Sequence, residues 1–259
     1  MSQGPAGPVV TVRGPSGETP VPTSLVVGAD GAGSAVRAAA GIDVDDAPYA
    51  HRVLRLMTAA PLERAVSRLA PVSYIFDGAD SISLLRMRDV WRVIIRIPPD
   101  LADTEAMDAA YYAPILRRFL PAAPDPLPLA SSDVYGVSKR MARRYRSGDV
   151  VLIGDAAHLT NTRGGMNMNA GIQDAITLAD TLAAIAAGGS GALLDAWAQA
   201  RLEVVTGALL PRTDRTVRGG GWLDQVRAAA ADPEAARAFL VDACMIDIAR
   251  VGAPAKGAR

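Results

Sequence analysis

Residues Gly154 to Leu182 read GDAAHLTNTRGGMNMNAGIQDAITLADTL. Directly before them stands Asp149-Val150-Val151-Leu152-Ile153, a short apolar run with the β-branched content of a buried strand. After the loop, Ile172, Ala175, Ile176, Ala179, Leu182 and Ala186 recur at three- and four-residue spacing, which predicts a helix with one apolar stripe. The stretch is therefore expected to fold as strand, carboxylate-bearing turn, glycine-rich loop and helix. That order aims backbone N–H groups and a positive helix end at an electron-rich ligand.

Within the stretch each residue type has a chemical and a plainer use. Asp155 can accept hydrogen bonds from ligand hydroxyls or simply cap its turn. Gly164, Gly165 and Gly171 allow close backbone approach to a ligand, or form an ordinary loop. Asn167 and Asn169 can adopt a left-handed backbone or donate side-chain amides. His158 has no second partner visible in sequence, so packing or hydrogen bonding is expected of it rather than catalysis. Met166 and Met168 read as loop packing, and His51, on a strand, has less claim to chemistry than His158.

Outside this stretch the composition narrows the classes. The 259 residues are half apolar, enough for a sizeable core in one large domain or two small ones. With 27 basic and 27 acidic residues and no long run of either sign, nucleic acid and anionic membranes are not expected as partners. The lone Cys244 excludes an intrachain disulfide framework and reads as a small apolar residue. No run reaches the roughly 18 apolar residues of a spanning helix, and a cytoplasmic location is expected. Metal-ligand spacing, a Gly-x-Ser-x-Gly elbow and a Walker-type phosphate loop are all missing from the sequence.

Taken from the start, Val9 to Arg13, the turn Gly14-Pro15-Ser16-Gly17 and a second extended piece predict a hairpin leading into a strand at Ser24 to Gly28. GADGAGSAVRAAAGI follows, with a tight turn at Asp30-Gly31, Ser34 as N-cap and a short helix over Ala35 to Ala40. Tyr49 to Ile97 carries four strand patterns, several alternating, which predict an antiparallel sheet with one wet face. Thr104 to Leu120 predicts one helix. Helices are also expected from Ala192 to Leu210, ending before Pro211, and in the tail after Gly219. The organisation expected is 1–48 as part of a nucleotide-binding layer and 49–140 as an inserted antiparallel sheet with a helix. Residues 141–218 return to the first layer, and 219–259 form a helical tail.

GADGAGSAVR and GDAAHLTNTRGGMNMNAGIQDAITLADTL together resemble the two downstream motifs of the FAD-dependent aromatic hydroxylases of the p-hydroxybenzoate-hydroxylase type, the class A flavoprotein monooxygenases. PYAHRVLRLM, VSYIFDG, WRVIIRIPP and SKRMARRYRSGDVVLIGDAAH are similar to the same family. The resemblance implies a mixed α/β fold: a partial glutathione-reductase-like FAD-binding layer, an inserted antiparallel substrate sheet and C-terminal helices. It implies FAD as cofactor, NAD(P)H as reductant, and oxygen-dependent hydroxylation of an aromatic or polyketide-like small molecule. By position, Asp155 would meet the ribityl hydroxyls of FAD, and Gly154 beside it would belong to the cofactor-binding set. Gly164, Gly165, Met168 and Asn169 would face the isoalloxazine, and Asp30 with Gly31 would belong to the motif tied to both FAD and pyridine nucleotide.

The chain also departs from the family pattern. Asn161-Thr162-Arg163 stands where proline is usual, and Asn167 where glycine is usual. No GxGxxG occurs before Gly28, so the pyrophosphate site is expected from an N-terminal FAD-binding half on a partner or a longer product. Three readings stay open at this point: part of a monooxygenase, a flavin-free ligand-binding, cyclase-like or interaction protein, and an inactive truncated fragment.

Overall fold

The computed structural model describes every residue except 5–6, 68, 78–79, 162–164, 219–221 and 255–259. The chain divides into two units, Met1–Ala47 with Ser138–Arg259, and Pro48–Val137. In chain order the strands are β1 (Ser2–Gly4), β2 (Gly7–Gly14), β3 (Gly17–Pro22), β4 (Val26–Gly28), β5 (Val44–Thr58), β6 (Val72–Asp77), β7 (Asp80–Arg86), β8 (Trp91–Ile97), β9 (Ser131–Ala142), β10 (Arg146–Ser147), β11 (Val150–Leu152) and β12 (His158–Leu159). The helices are α1 (Ala35–Ala39), α2 (Asp103–Ala106), α3 (Ala109–Phe119), α4 (Met166–Ala186), α5 (Ala192–Val204), α6 (Leu210–Arg218), α7 (Trp222–Ala230) and α8 (Pro233–Ala243). The result is the mixed α/β architecture expected. Among the described residues no helix is long and apolar enough to cross a membrane.

In the first unit, β2 and β3 form the expected hairpin, closed by Pro15 and Ser16 between the paired Gly14 and Gly17. The structurally decisive pair is β4 with β11, which run parallel with Val150 opposite Val26 and Leu152 opposite Gly28. Their carboxyl ends therefore lie side by side, and Ile153 N–H donates to Gly28 O at 3.0 Å. The core around them includes Leu152, Ala156, Leu178, Trp197, Leu209 and Met245, all buried. Burying a side chain of Leu size stabilises by about 1.5–3 kcal/mol, so this cluster fixes where α4 and α5 sit.

The buried side of α4 is not the stripe read from the sequence. Ile172 and Ile176 are about half exposed and Met168 is 66% exposed, whereas Asp174, Thr177, Leu178 and Thr181 face inward. The polar members are tolerated because each is bonded: Thr177 Oγ1 donates to Gln173 O and accepts from Trp197 Nε1, and Thr181 Oγ1 donates to Thr177 O. Apolar spacing identified the helix correctly, but a hydrogen-bonded inner face reversed its orientation.

Two other helix expectations change. The helix over Thr104 to Leu120 is broken into α2 and α3, because the Asp108 side chain accepts from Ala110 N–H and starts a new helix. Pro211 does not end the preceding helix. A π turn at Val205–Leu209 joins α5 to α6, and the altered pairing there lets a residue without an N–H follow.

In the second unit the strand order is β9-β5-β8-β7-β6. β5, β8, β7 and β6 pair antiparallel in sequence, with Leu54 opposite Ile95 and Ile82 opposite Ile95 on the far side. Along β8, Trp91, Val93, Ile95 and Ile97 are buried while Arg92, Ile94 and Arg96 are half-exposed, the one-sided alternation of an antiparallel sheet. The buried face meets Tyr112, Leu116 and Phe119 of α3 in a second core.

Candidate functional site

Both sequence motifs sit at the carboxyl ends of the parallel pair, where open α/β sheets bind ligands. Beyond β4, Gly31 turns with φ +82°. The Asp30 side chain bonds its own helix start: Ser34 Oγ donates to Oδ1, and Val36 N–H donates to Oδ2 at 3.0 Å. Burial pushes the Asp30 carboxyl up, but these hydrogen bonds outweigh it and hold it below the usual carboxylate value. Asp30 therefore shapes the turn. Arg37, to which the sequence reading gave no role, ties the two motifs together: its guanidinium donates to Ala32 O at 2.9 Å and to Ala156 O at 2.8 Å.

Beyond β11, Gly154 takes φ +57° and its α-carbon lies against Gly171 of α4. A Cβ on Gly171 would meet Gly154 Cα at 3.0 Å, so both backbones need glycine to approach this closely. Asp155 is exposed on the following turn. Gly165, with φ +66°, stands at the N-terminus of α4, and open space surrounds the position of its missing side chain. Met168 and Asn169 are exposed in the first turn of α4, where no acidic residue occurs, and Asn169 Nδ2 donates back to Gly165 O at 3.1 Å. Thus Gly154, Asp155, Gly165, Met168 and Asn169 all belong to one loop and helix start. Gly164, with Thr162 and Arg163, lies outside the described residues.

Behind Asp155 runs a buried polar chain that sequence reading saw only in fragments. Asn167 Nδ2 donates to Asp155 Oδ1 at 2.7 Å, and Asn167 Oδ1 lies 3.1 Å from His158 Nδ1. His158 Nε2 lies 2.7 Å from Asp174 Oδ2, which also accepts Gly154 N–H at 3.0 Å. Arg201 Nε donates to Asp174 Oδ1 at 2.7 Å, and its other nitrogens reach Val251 O and Ala170 O. The amide orientation that serves Asp155 turns Asn167 Oδ1 toward the ring, so His158 Nδ1 is the donor in that contact. Burial pushes the Asp174 carboxyl up. The His158 hydrogen bond and charge, then Arg201 and the Gly154 N–H, outweigh burial and hold it below its usual value. Tyr145 stacks on His158 with centroids 6.1 Å apart, and burial raises its hydroxyl well above the ordinary value.

A signal for this chain was present in the sequence. Arg201 sits four residues after Trp197 and three before Val204, in the middle of a buried helix face, and a buried arginine needs an acidic partner.

Residues 2–210 match the family model described as FAD binding domain. The chain belongs to this FAD-binding family of class A flavoprotein monooxygenases. It is 33% identical over 228 residues to the 3-(3-hydroxy-phenyl)propionate/3-hydroxycinnamic acid hydroxylase of Mycolicibacterium smegmatis, covering 82% of this chain and 39% of that enzyme. Among solved structures, p-nitrophenol 4-monooxygenase from Pseudomonas putida superposes with a TM-score of 0.78 at 25% identity, over 94% of this chain and 63% of that one. Aklavinone-11 hydroxylase, solved with FAD and aklavinone, gives 0.67 at 26% identity, over 79% of this chain and 39% of that one. The chain thus spans less than half the length of the curated relatives it matches.

Proposed function

We propose that this chain supplies the flavin-facing loop and the substrate sheet of an FAD- and NAD(P)H-dependent monooxygenase that hydroxylates an aromatic or polyketide-type ring. The observation that carries the reading is the placement of Asp155. Its Oδ1 is held by Asn167, while the exposed carboxylate stands beside the open N-terminus of α4 at the carboxyl end of a parallel strand. That donor and acceptor set fits FAD: a fixed carboxylate for ribityl hydroxyls and first-turn amides for the electron-rich ring. When bound, the flavin supplies the oxygen chemistry.

The chain's own residues bind and orient. Asp155 accepts hydroxyl hydrogen bonds, and the buried chain behind it keeps its carboxylate from turning away. Gly165, Met168 and Asn169 form the surface on which a flat ring rests. The first-turn amides of α4, a turn that itself contains no acidic residue, favour negative charge there. Asp30 and Gly31 set the neighbouring wall.

An N-terminal FAD-binding half is part of the proposal. β4 pairs with β11 and, among the described residues, with no other strand. Parallel strands are ordinarily flanked and covered, and the outward side of α4 presents Met168, Ile172 and Ile176. A strand-helix-strand unit bearing a dinucleotide fingerprint would cover both. To test this, the purified chain is titrated with FAD, alone and mixed with an N-terminal half that carries a GxGxxG motif. Flavin retention and NADPH-dependent oxygen uptake in the mixture are expected; failure of both would overturn the reading.

A further inference from the structure

Three contacts around the fully buried His158 constrain one another. Asn167 Nδ2 lies 2.7 Å from Asp155 Oδ1, Asn167 Oδ1 lies 3.1 Å from His158 Nδ1, and His158 Nε2 lies 2.7 Å from Asp174 Oδ2. A carboxylate stands at each end of this row, and an ionised carboxylate only accepts. From the Asp155 end, the Asn167 amide must turn its nitrogen outward, which leaves its oxygen, an acceptor, for Nδ1. From the Asp174 end, where Arg201 Nε and the Gly154 N–H also donate, Nε2 must bring a proton as well. Both ring nitrogens are then donors, a requirement that only the imidazolium meets.

A neutral ring breaks the row whichever way it adjusts. With its proton on Nε2, the bare Nδ1 faces Asn167 Oδ1, acceptor against acceptor. Turning the amide over repairs that contact but sets the amide oxygen against the Asp155 carboxylate. With its proton on Nδ1, the bare Nε2 faces Asp174 instead. The charges also balance when the ring is protonated, His158 and Arg201 against Asp155 and Asp174. Tyr145, stacked on the ring, adds no charge, because burial keeps its hydroxyl protonated. Arg140, on the strand that pairs with β12, is engaged by Asp46, and Arg37 of α1 by the carbonyls of Ala32 and Ala156. The row depends on Asn167, since a glycine at that position would offer no side-chain amide.

We propose that His158 is a positioning residue held as an imidazolium, and that its second ring proton, acting through the Asn167 amide, keeps Asp155 set to receive the ribityl hydroxyls of FAD. This role rests on the flavin reading of Asp155 and adds to it a dependence of flavin affinity on pH, lost as His158 gives up that proton.

The first measurement is nitrogen NMR of the whole chain without flavin, with His158 assigned through its contacts to the Tyr145 ring, so that no variant is needed. At about pH 7.5, where a solvent-exposed imidazole is mostly neutral, His158 is expected to carry a proton on both ring nitrogens. The second is the FAD dissociation constant of the chain mixed with an N-terminal half that carries a GxGxxG motif, followed as pH rises. Affinity is expected to fall about tenfold across the pH at which the NMR signal shows His158 losing its proton. Asn167→Gly is expected to bind weakly throughout, with no such step. An unprotonated Nδ1 at about pH 7.5, or FAD affinity flat across the His158 titration, would overturn this role and leave the flavin reading standing. No FAD binding at any pH would overturn the flavin reading and this role with it.

Discussion

His158 Nε2 and Asp174 Oδ2 stand 2.7 Å apart with both side chains fully buried, which locks the loop after β11 onto the middle of α4. Arg201 completes the cluster on the other carboxylate oxygen. Burying three such groups costs desolvation, and the cluster is tolerable only while every partner is present. Asp174→Asn or Arg201→Met is therefore expected to cost about 3–5 kcal/mol of unfolding free energy, read from urea unfolding. The double variant Asp174→Leu/Arg201→Met should lose clearly less than the two single losses added together. A single-variant loss under about 1 kcal/mol would contradict this account of the cluster.

The same carboxylate makes stability depend on acid. Asp174 is held below its usual value of 3.8 in the folded chain, so its contribution is fully present above that value and disappears as pH falls through the depressed one. Asp247, lowered first by its hydrogen bond from Arg212 against an opposing effect of burial, acts in the same direction. Urea midpoints measured from about pH 6 down to about pH 2 should fall more steeply below the ordinary carboxylate value in the native chain than in Asp174→Asn. Parallel curves would show that Asp174 carries no such linkage.

Asn167 is expected to matter for the ligand as well as for the fold. Asn167→Ala removes the donor to Asp155 and the acceptor facing His158, leaving buried polar atoms short of a partner at a cost of about 1–3 kcal/mol. With the complementary half supplied, FAD should bind about tenfold more weakly, measured by flavin fluorescence. Unchanged affinity would mean that Asp155 needs no such support.

The fold was legible where local chemistry and burial agree. The hairpin of β2 and β3, the strands β4 and β11 and the alternation along β8 follow from β-branched runs and turn glycines, and the structure places them there. The inner face of α4 was not legible, because Asp174, Thr177 and Thr181 are polar and become inward-facing only through His158, Arg201 and Trp197, far off in sequence. Distance in sequence likewise hid the link from Arg37 to Ala156. Around the candidate site, the sequence marked Asp155 and Gly165 as candidates and the structure puts them in one loop and helix start, whereas the chain that steadies Asp155 was not legible.

Gly171 offers a packing test. Gly171→Ala brings a methyl to 3.0 Å from Gly154 Cα, a backbone atom that cannot swing aside as a side chain would. The substitution should cost about 1–3 kcal/mol in thermal or urea unfolding and shift the Gly154 amide resonance. No change in either would contradict the close approach of loop and helix.

The central claim is that Asp155, held by Asn167 beside the start of α4, is the carboxylate that receives the flavin. The measurement that bears on it most directly is the FAD dissociation constant of the chain mixed with a GxGxxG-bearing half, compared between the native sequence and Asp155→Ala. The account predicts saturable binding that weakens about tenfold or more in the variant, the loss expected for a charged hydrogen-bond acceptor. Equal affinity in the two proteins would contradict it.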